Sequence, residues 1–179
     1  MTSLTDISQA TEMELLVAFF DLTQFARFAQ NHTSREVFET LGAYFEFVGD
    51  VVAEGGGTVV KFIGDAGLLA YPEERVDSGV LSLSRLLEEG DAWLQRHGLP
   101  CRNVIKAHFG AVTCGPIGTR HKKDFEVYGE TVNTAALLRS EGLAITPQVF
   151  RKLHKDTRRL FKKHTPPVTY IPVEQRHRE

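Results

Sequence analysis

The chain has 179 residues, 42% of them hydrophobic and 25% charged, enough for one soluble domain that buries its own core without cross-links. Its 21 basic and 23 acidic side chains leave a formal charge of −2, which removes any overall electrostatic case for binding nucleic acid. The two cysteines, Cys101 and Cys114, form no disulfide framework and read as buried thiols of a reducing compartment. With no signal peptide and no apolar run long enough to span a bilayer, a cytoplasmic protein with no membrane partner is expected.

Residues 1–13 are polar and are expected to form a disordered lead or linker. An apolar run follows, a strand over roughly 14–20 that ends on Asp21. Residues 23–28 suggest a short helix. Thr33 and Glu36 then have the spacing of a capping box, opening a long helix whose apolar face is Val37, Leu41, Tyr44, Phe45, Val48, Val51 and Val52. Gly55, Gly56 and Gly57 stop it; no helix begins after them, so they read as a helix end rather than a phosphate loop. Residues 59–71 form two apolar runs around Gly64-Asp65, the pattern of a β-hairpin. A second long helix is expected over 74–95 and a central strand over 104–112. Gly110, Gly115 and Gly118 suggest a turn into a further strand, and 119–124 a charged excursion. Residues 125–127 read as a strand, 131–138 and 147–154 as helices, and 168–173 as a last strand. The basic cluster over 151–163 reads as a solvated helix and turn, and 174–179 as a polar tail. Strands alternating with long helices predict an α+β sheet with helices packed on one face.

The chemistry concentrates on two aspartates. Asp65, at a hairpin tip, has an ordinary reading as a turn residue and a sharper one as a hard-cation ligand on rigid backbone. Asp21, at the end of a second buried strand, favours the sharper one, because two carboxylates at neighbouring strand ends suit a two-metal site for phosphoryl chemistry. The seven histidines lack metal-ligand spacing, and His108 reads as a core or rim residue of its strand. No Ser/His/Asp or Cys/His arrangement is legible.

Taken with a third stretch, Phe125-Glu126-Val127-Tyr128-Gly129-Glu130-Thr131-Val132-Asn133-Thr134-Ala135-Ala136, these segments resemble the class III nucleotidyl cyclases, the adenylate and guanylate cyclase catalytic domains. The resemblance covers roughly residues 14–172. It implies a ferredoxin-like βαββαβ core with C-terminal additions, a catalytic domain over 14–173, and conversion of ATP to 3′,5′-cyclic AMP and pyrophosphate. It also implies two Mg²⁺ or Mn²⁺ ions held by Asp21 and Asp65, Lys61 and Glu126 as readers of the base, and Asn133 as the ribose-orienting residue. The segment Thr23 to Ala26, with Phe25, would lie along the triphosphate. A lysine donor beside a carboxylate acceptor suits the adenine edge; the same two side chains also fit a plain ion pair across neighbouring strands. Such domains work as head-to-tail dimers, so Asp21 and Asp65 of one protomer would face Lys61, Glu126 and Asn133 of its partner in a homodimer.

Gln24, Ala26, Glu126 and Leu137 depart from the family pattern, Ala26 standing where a threonine is usual and Glu126 where an aspartate is. Gln24 stands where a glycine is usual, and Leu137 where an arginine steadies the transferring phosphate. Arg139, two residues further along the expected helix, is rotated by roughly 200° and points to the opposite face. Loss of one oriented donor to a developing charge typically costs about 10²–10³ in rate, so slow turnover is expected. The rival reading is a cyclase-like nucleotide-binding or dimerisation module of weak or no activity; a third keeps the enzyme but exchanges ATP for GTP or a pyrimidine triphosphate.

Overall fold

In the computed structural model, which describes residues 4–175, the chain is built outward from β1 (Thr11–Leu22). This strand pairs antiparallel with β3 (Ala66–Pro72) on one side and β4 (Asn103–Gly118) on the other. Leu16, Ala18 and Phe20 enter one core while Leu15 and Val17 enter a second, and all five are buried. An apolar run without alternation is what a strand covered on both faces requires. With β2 (Thr58–Ile63) beyond β3, the first four strands stand in the order β2-β3-β1-β4. Helices α2 (Ser34–Glu54) and α3 (Val76–Arg96) make the two crossovers, so the core is the expected ferredoxin-like βαββαβ.

The additions continue the same sheet. β6 (Leu143–Ile145) runs parallel to β4, and β8 (Thr169–Pro172) and β7 (Phe161–His164) follow outward. β5 (Lys123–Tyr128) pairs with the far half of β4. α5 (Pro147–Lys152) and α6 (Lys155–Arg158) lie between β6 and β7.

The expected capping box opens α2. Thr33 accepts a hydrogen bond from the Glu36 amide, and the Glu36 carboxylate accepts one from the Thr33 amide at 2.7 Å, an arrangement worth about 1 kcal/mol. Tyr44, Val48, Val51 and Val52 of α2 pack with Val80, Leu83, Leu86 and Leu94 of α3 on one face of the sheet. The Tyr44 hydroxyl donates to Asn103 Oδ1 at 2.7 Å, and Asn103 donates through its backbone and side-chain nitrogens to Asp91. Burial pushes the Tyr44 hydroxyl far above its ordinary range and raises the Asp91 carboxyl.

Several expectations change. Helices do not cover one face alone: α4 (Glu130–Leu137) and β5 cover the other, over Leu15, Val17, Leu68, Ala70 and Val112. The reason lies in β1 and β3, which carry apolar residues at odd and even positions alike. β1 begins at Thr11 rather than near residue 14, and a 3₁₀ turn at Leu4–Asp6 buries Leu4, so residues 4–13 are tied to the sheet. Residues 1–3 of the expected lead and 176–179 of the expected tail lie outside the described residues. The turn expected between Gly110 and Gly118 is absent; β4 runs through as one strand. At Gly115, φ is 153° and a Cβ would stand 2.8 Å from the Gln9 carbonyl oxygen, so glycine there permits a close crossing rather than a turn. The basic segment is not helix and turn throughout, because buried Phe161 draws residues 161–164 into β7.

Candidate active site

The β2–β3 hairpin closes in two residues, Gly64 and Asp65, between the paired Ile63 and Ala66. Gly64 has φ of 63° while Asp65 is not left-handed, the pattern of a turn with glycine first. This puts Asp65 at a rigid tip. On the neighbouring strand Phe20 pairs with Gly67, and its ring meets Phe62 edge-on at 6.4 Å on the helix-covered side. Strand alternation therefore turns Asp21, the next residue, to the opposite face near that tip. The Asp65 carboxyl is raised above its ordinary value, first by burial and further by the Asp21 charge.

Two carboxylates at adjacent strand ends offer oxygen ligands of the kind a hard cation takes. Among the described residues no group of three or more His, Cys, Asp or Glu side chains assembles for a metal. A pair leaves most coordination positions to water and phosphate oxygens, which is how Mg²⁺ is commonly held and a structural zinc is not. The residues present thus fit Mg²⁺ or Mn²⁺ brought with a polyphosphate. Burial and the Asp65 charge push the thiol of nearby Cys101 up to about 11, so in the absence of a cation it stays protonated.

Phe62 stacks on Phe45 with centroids 3.7 Å apart, which turns Lys61 to the face where β5 lies. Lys61 Nζ donates to both Glu126 oxygens, at 2.8 and 3.0 Å. The side chains are 39% and 15% exposed, so the pair is accessible from one side. Lys61 stands two residues, about 7 Å of strand, before the end of β2 at Ile63, with the Gly64-Asp65 turn beyond it.

The loop after Asp21 is pinned to β4: the Thr23 amide donates to the Arg102 carbonyl at 2.9 Å, and Thr23 Oγ1 accepts from the Arg102 amide at 3.1 Å. Phe25 opens α1 (Phe25–Gln30) with its ring packed against the helix-side core, leaving backbone amides at the helix start. Gln24, before it, has φ 59° and ψ 13° and is the one non-glycine residue with positive φ among the described residues. It keeps the left-handed backbone that glycine adopts without penalty, at a cost of about 1–2 kcal/mol for an L side chain. Gln24→Gly is expected to stabilise the protein by up to about 1 kcal/mol after the entropy cost of glycine, raising Tm by about 2–4 °C. A lower Tm would mean that contacts of Gln24 outweigh the strain.

On α4, Asn133 is exposed, and Leu137 is 82% exposed, so this leucine is no part of the core. The helix ends there; Leu138 turns to φ −58° and ψ 144°. The 200° rotation expected for Arg139 therefore does not apply, since no helix carries it. Arg139 instead lines a cavity of about 580 Å³ with Thr134, Leu137, Leu138, Pro166 and Pro167. Lys106, which sequence reasoning passed over inside a strand, donates to the Ala136 carbonyl at 2.9 Å. Neither position carried a local signal, because no Gly or Pro marks the end of α4 before Gly142. His108, by contrast, is the satisfied rim residue expected: its Nδ1 lies 2.9 Å from Thr146 Oγ1, and burial lowers its pKa.

The fold has counterparts. The "Adenylate cyclase" of Anabaena cylindrica is 27% identical over 164 residues, 83% of this chain and 32% of that protein. The chain thus spans about a third of that curated relative. Among solved structures, the adenylyl cyclase CyaB from P. aeruginosa has a TM-score of 0.80 at 17% identity, covering 94% of this chain and 97% of that one. The guanylate cyclase domain of RhGC from Catenaria anguillulae, in complex with GTP, has a TM-score of 0.78 at 21% identity, covering 90% and 97%. At these identities the structural matches establish the fold alone. The family model for the adenylate and guanylate cyclase catalytic domain matches residues 7–166, a span that takes in both aspartates, the Lys61–Glu126 pair and α4. The chain belongs to the adenylate and guanylate cyclase catalytic domain family.

Proposed function

We propose that the protein converts ATP to 3′,5′-cyclic AMP and pyrophosphate by two-metal-ion catalysis at the interface of a homodimer. The observation that carries this reading is the placement of Asp21 and Asp65 at neighbouring strand ends, close enough that the Asp21 charge adds to the rise of the Asp65 carboxyl. Mg²⁺ or Mn²⁺ bound there would activate the ribose 3′-hydroxyl and neutralise phosphate charge. The chain's own residues supply position. The Lys61–Glu126 pair offers a donor and an acceptor to the adenine edge, which presents an unprotonated ring nitrogen and an exocyclic amine. The pair is part-buried but reachable from one side, which suits a recognition role. Asn133 orients the ribose, and Thr23 holds the loop whose Phe25 amide faces the triphosphate.

In the head-to-tail homodimer, Asp21 and Asp65 of one protomer face Lys61, Glu126 and Asn133 of its partner, giving two equivalent sites. Exposed Ile117 and Tyr128 on the β4–β5 arm supply apolar surface for that contact.

A second reading has its own observation. Exposed, apolar Leu137 offers no donor to phosphate, as a weak cyclase or a nucleotide-binding and dimerisation module would have it. Incubation with each of the four nucleoside triphosphates and Mg²⁺ or Mn²⁺, followed by product mass analysis, separates these. Cyclic AMP from ATP is expected, at a slow rate. A cyclic product from GTP or a pyrimidine nucleotide alone would move the base assignment, and no cyclic product from any would leave the binding module.

A further inference from the structure

We infer that Arg139 is the phosphate-contacting cation of this protein, an inference that rests on the cyclase reading of the site. In that reaction the 3′-oxygen forms a bond to the α-phosphorus and releases its proton to solvent. The bond from the α-phosphorus to the bridging oxygen breaks, and its electron pair leaves with pyrophosphate. Negative charge therefore grows on the α-phosphoryl and bridging oxygens, and a preorganised donor aimed there stabilises the transition state.

Three observations select Arg139. The end of α4 at Leu137 and the extended backbone of Leu138 bring Arg139 into the lining of the 580 Å³ cavity with Thr134, Leu137, Pro166 and Pro167. That cavity adjoins the end of α4, one helical turn beyond Asn133. The guanidinium has no ion-pair partner among the described residues, unlike Lys61, Arg85, Lys152 and Arg159, each of which pairs with a carboxylate. Lys106, the other cation at this helix end, is engaged by the Ala136 carbonyl. An unpaired guanidinium on the wall of a cavity, with its planar fork of donors, is suited to two phosphate oxygens at once. Leu137 contributes a smooth apolar edge and no charge. The chain thus supplies its cation from just past the helix rather than from the helix itself.

The test is kinetic, on the full chain. Arg139→Ala is expected to lower kcat about 100-fold with a smaller change in KM and an unchanged Tm, since the residue is exposed. Leu137→Arg, placed one turn from Asn133 on a surface position that tolerates it, should restore at least tenfold of that loss in the Arg139→Ala background. A merely structural role for Arg139 would not be rescued from position 137. A kcat within twofold of wild type in Arg139→Ala, or a loss that Leu137→Arg leaves unrepaired, overturns the assignment; so does a large loss confined to Lys106→Met. Binding of pyrophosphate with Mg²⁺, followed by calorimetry, separates this from the parent reading. If the wild type makes no cyclic product yet Arg139→Ala weakens pyrophosphate binding about tenfold, the contact stands and the cyclase reading falls. Unchanged pyrophosphate binding in such a protein overturns both.

Discussion

Asp21→Ala and Asp65→Ala are each expected to reduce cyclic AMP formation about a thousandfold or more, the several kcal/mol that metal-assisted charge stabilisation provides. Either change leaves one carboxylate where two are needed to hold both ions against a triphosphate. Folding should survive. Asp65 sits at a two-residue turn whose conformational demand falls on Gly64, and Asp21 is exposed at the end of β1. Without added metal, Asp21→Ala should melt no lower than wild type, because the Asp65 carboxyl, already raised by burial, loses a like charge beside it. Mn²⁺ should raise the Tm of the wild type and not of Asp65→Ala, a readout independent of turnover. Undiminished product formation in either variant, with the fold intact, would refute the two-metal assignment.

The second large effect is recovery from zero. Asp65→Ala and Asn133→Ala, each inactive alone, should regain activity when mixed, up to about a quarter of wild type at equal amounts. Random pairing makes half the dimers mixed, and in each mixed dimer both lesions fall on the same site, leaving the other intact. The geometry behind this is the separation of the parts within one chain. Asp21 and Asp65 gather at the hairpin tip, while Lys61 bonds Glu126 farther back along β2 and Asn133 stands exposed on α4. Mixing should also leave Asp21→Ala with Asp65→Ala silent, since both lesions belong to the same half-site and one spoils each site of the mixed dimer. Heterodimers without recovered activity in the first mixture would place each site within a single chain.

Much of this architecture was legible in linear form because its causes are local. A capping box spans three residues, so Thr33 and Glu36 announced α2. A two-residue hairpin needs a residue that accepts positive φ, so Gly64 beside Asp65 announced the tip. Continuous apolar runs around both aspartates marked buried strands, and the family resemblance carried by those segments implied the βαββαβ core that the sheet order shows. The short strands were not legible. β6 has three residues and β7 four, too few for periodicity to speak, and each exists because a neighbouring strand offers it an edge to pair with.

The sequence by itself determined which side chains the chain can offer: two carboxylates at strand ends, a lysine and a glutamate, and an asparagine on a helix. The carboxylates stand out by residue identity and short-range pattern, and the other three by the family resemblance of the segments that hold them. Where those groups stand relative to one another was decided only in three dimensions. Lys61 and Glu126 are 65 residues apart in sequence and meet because β5 folds across the face to which alternation turns Lys61. Gln24 takes a glycine's conformation because the chain must leave β1 and enter α1 within two residues, with Thr23 fixed to Arg102. Arg139 reaches the cavity beside Leu137 because α4 stops one residue before Leu138. A helix end without a Gly or Pro signal is set by which contacts and backbone partners the fold offers, and that balance is tertiary.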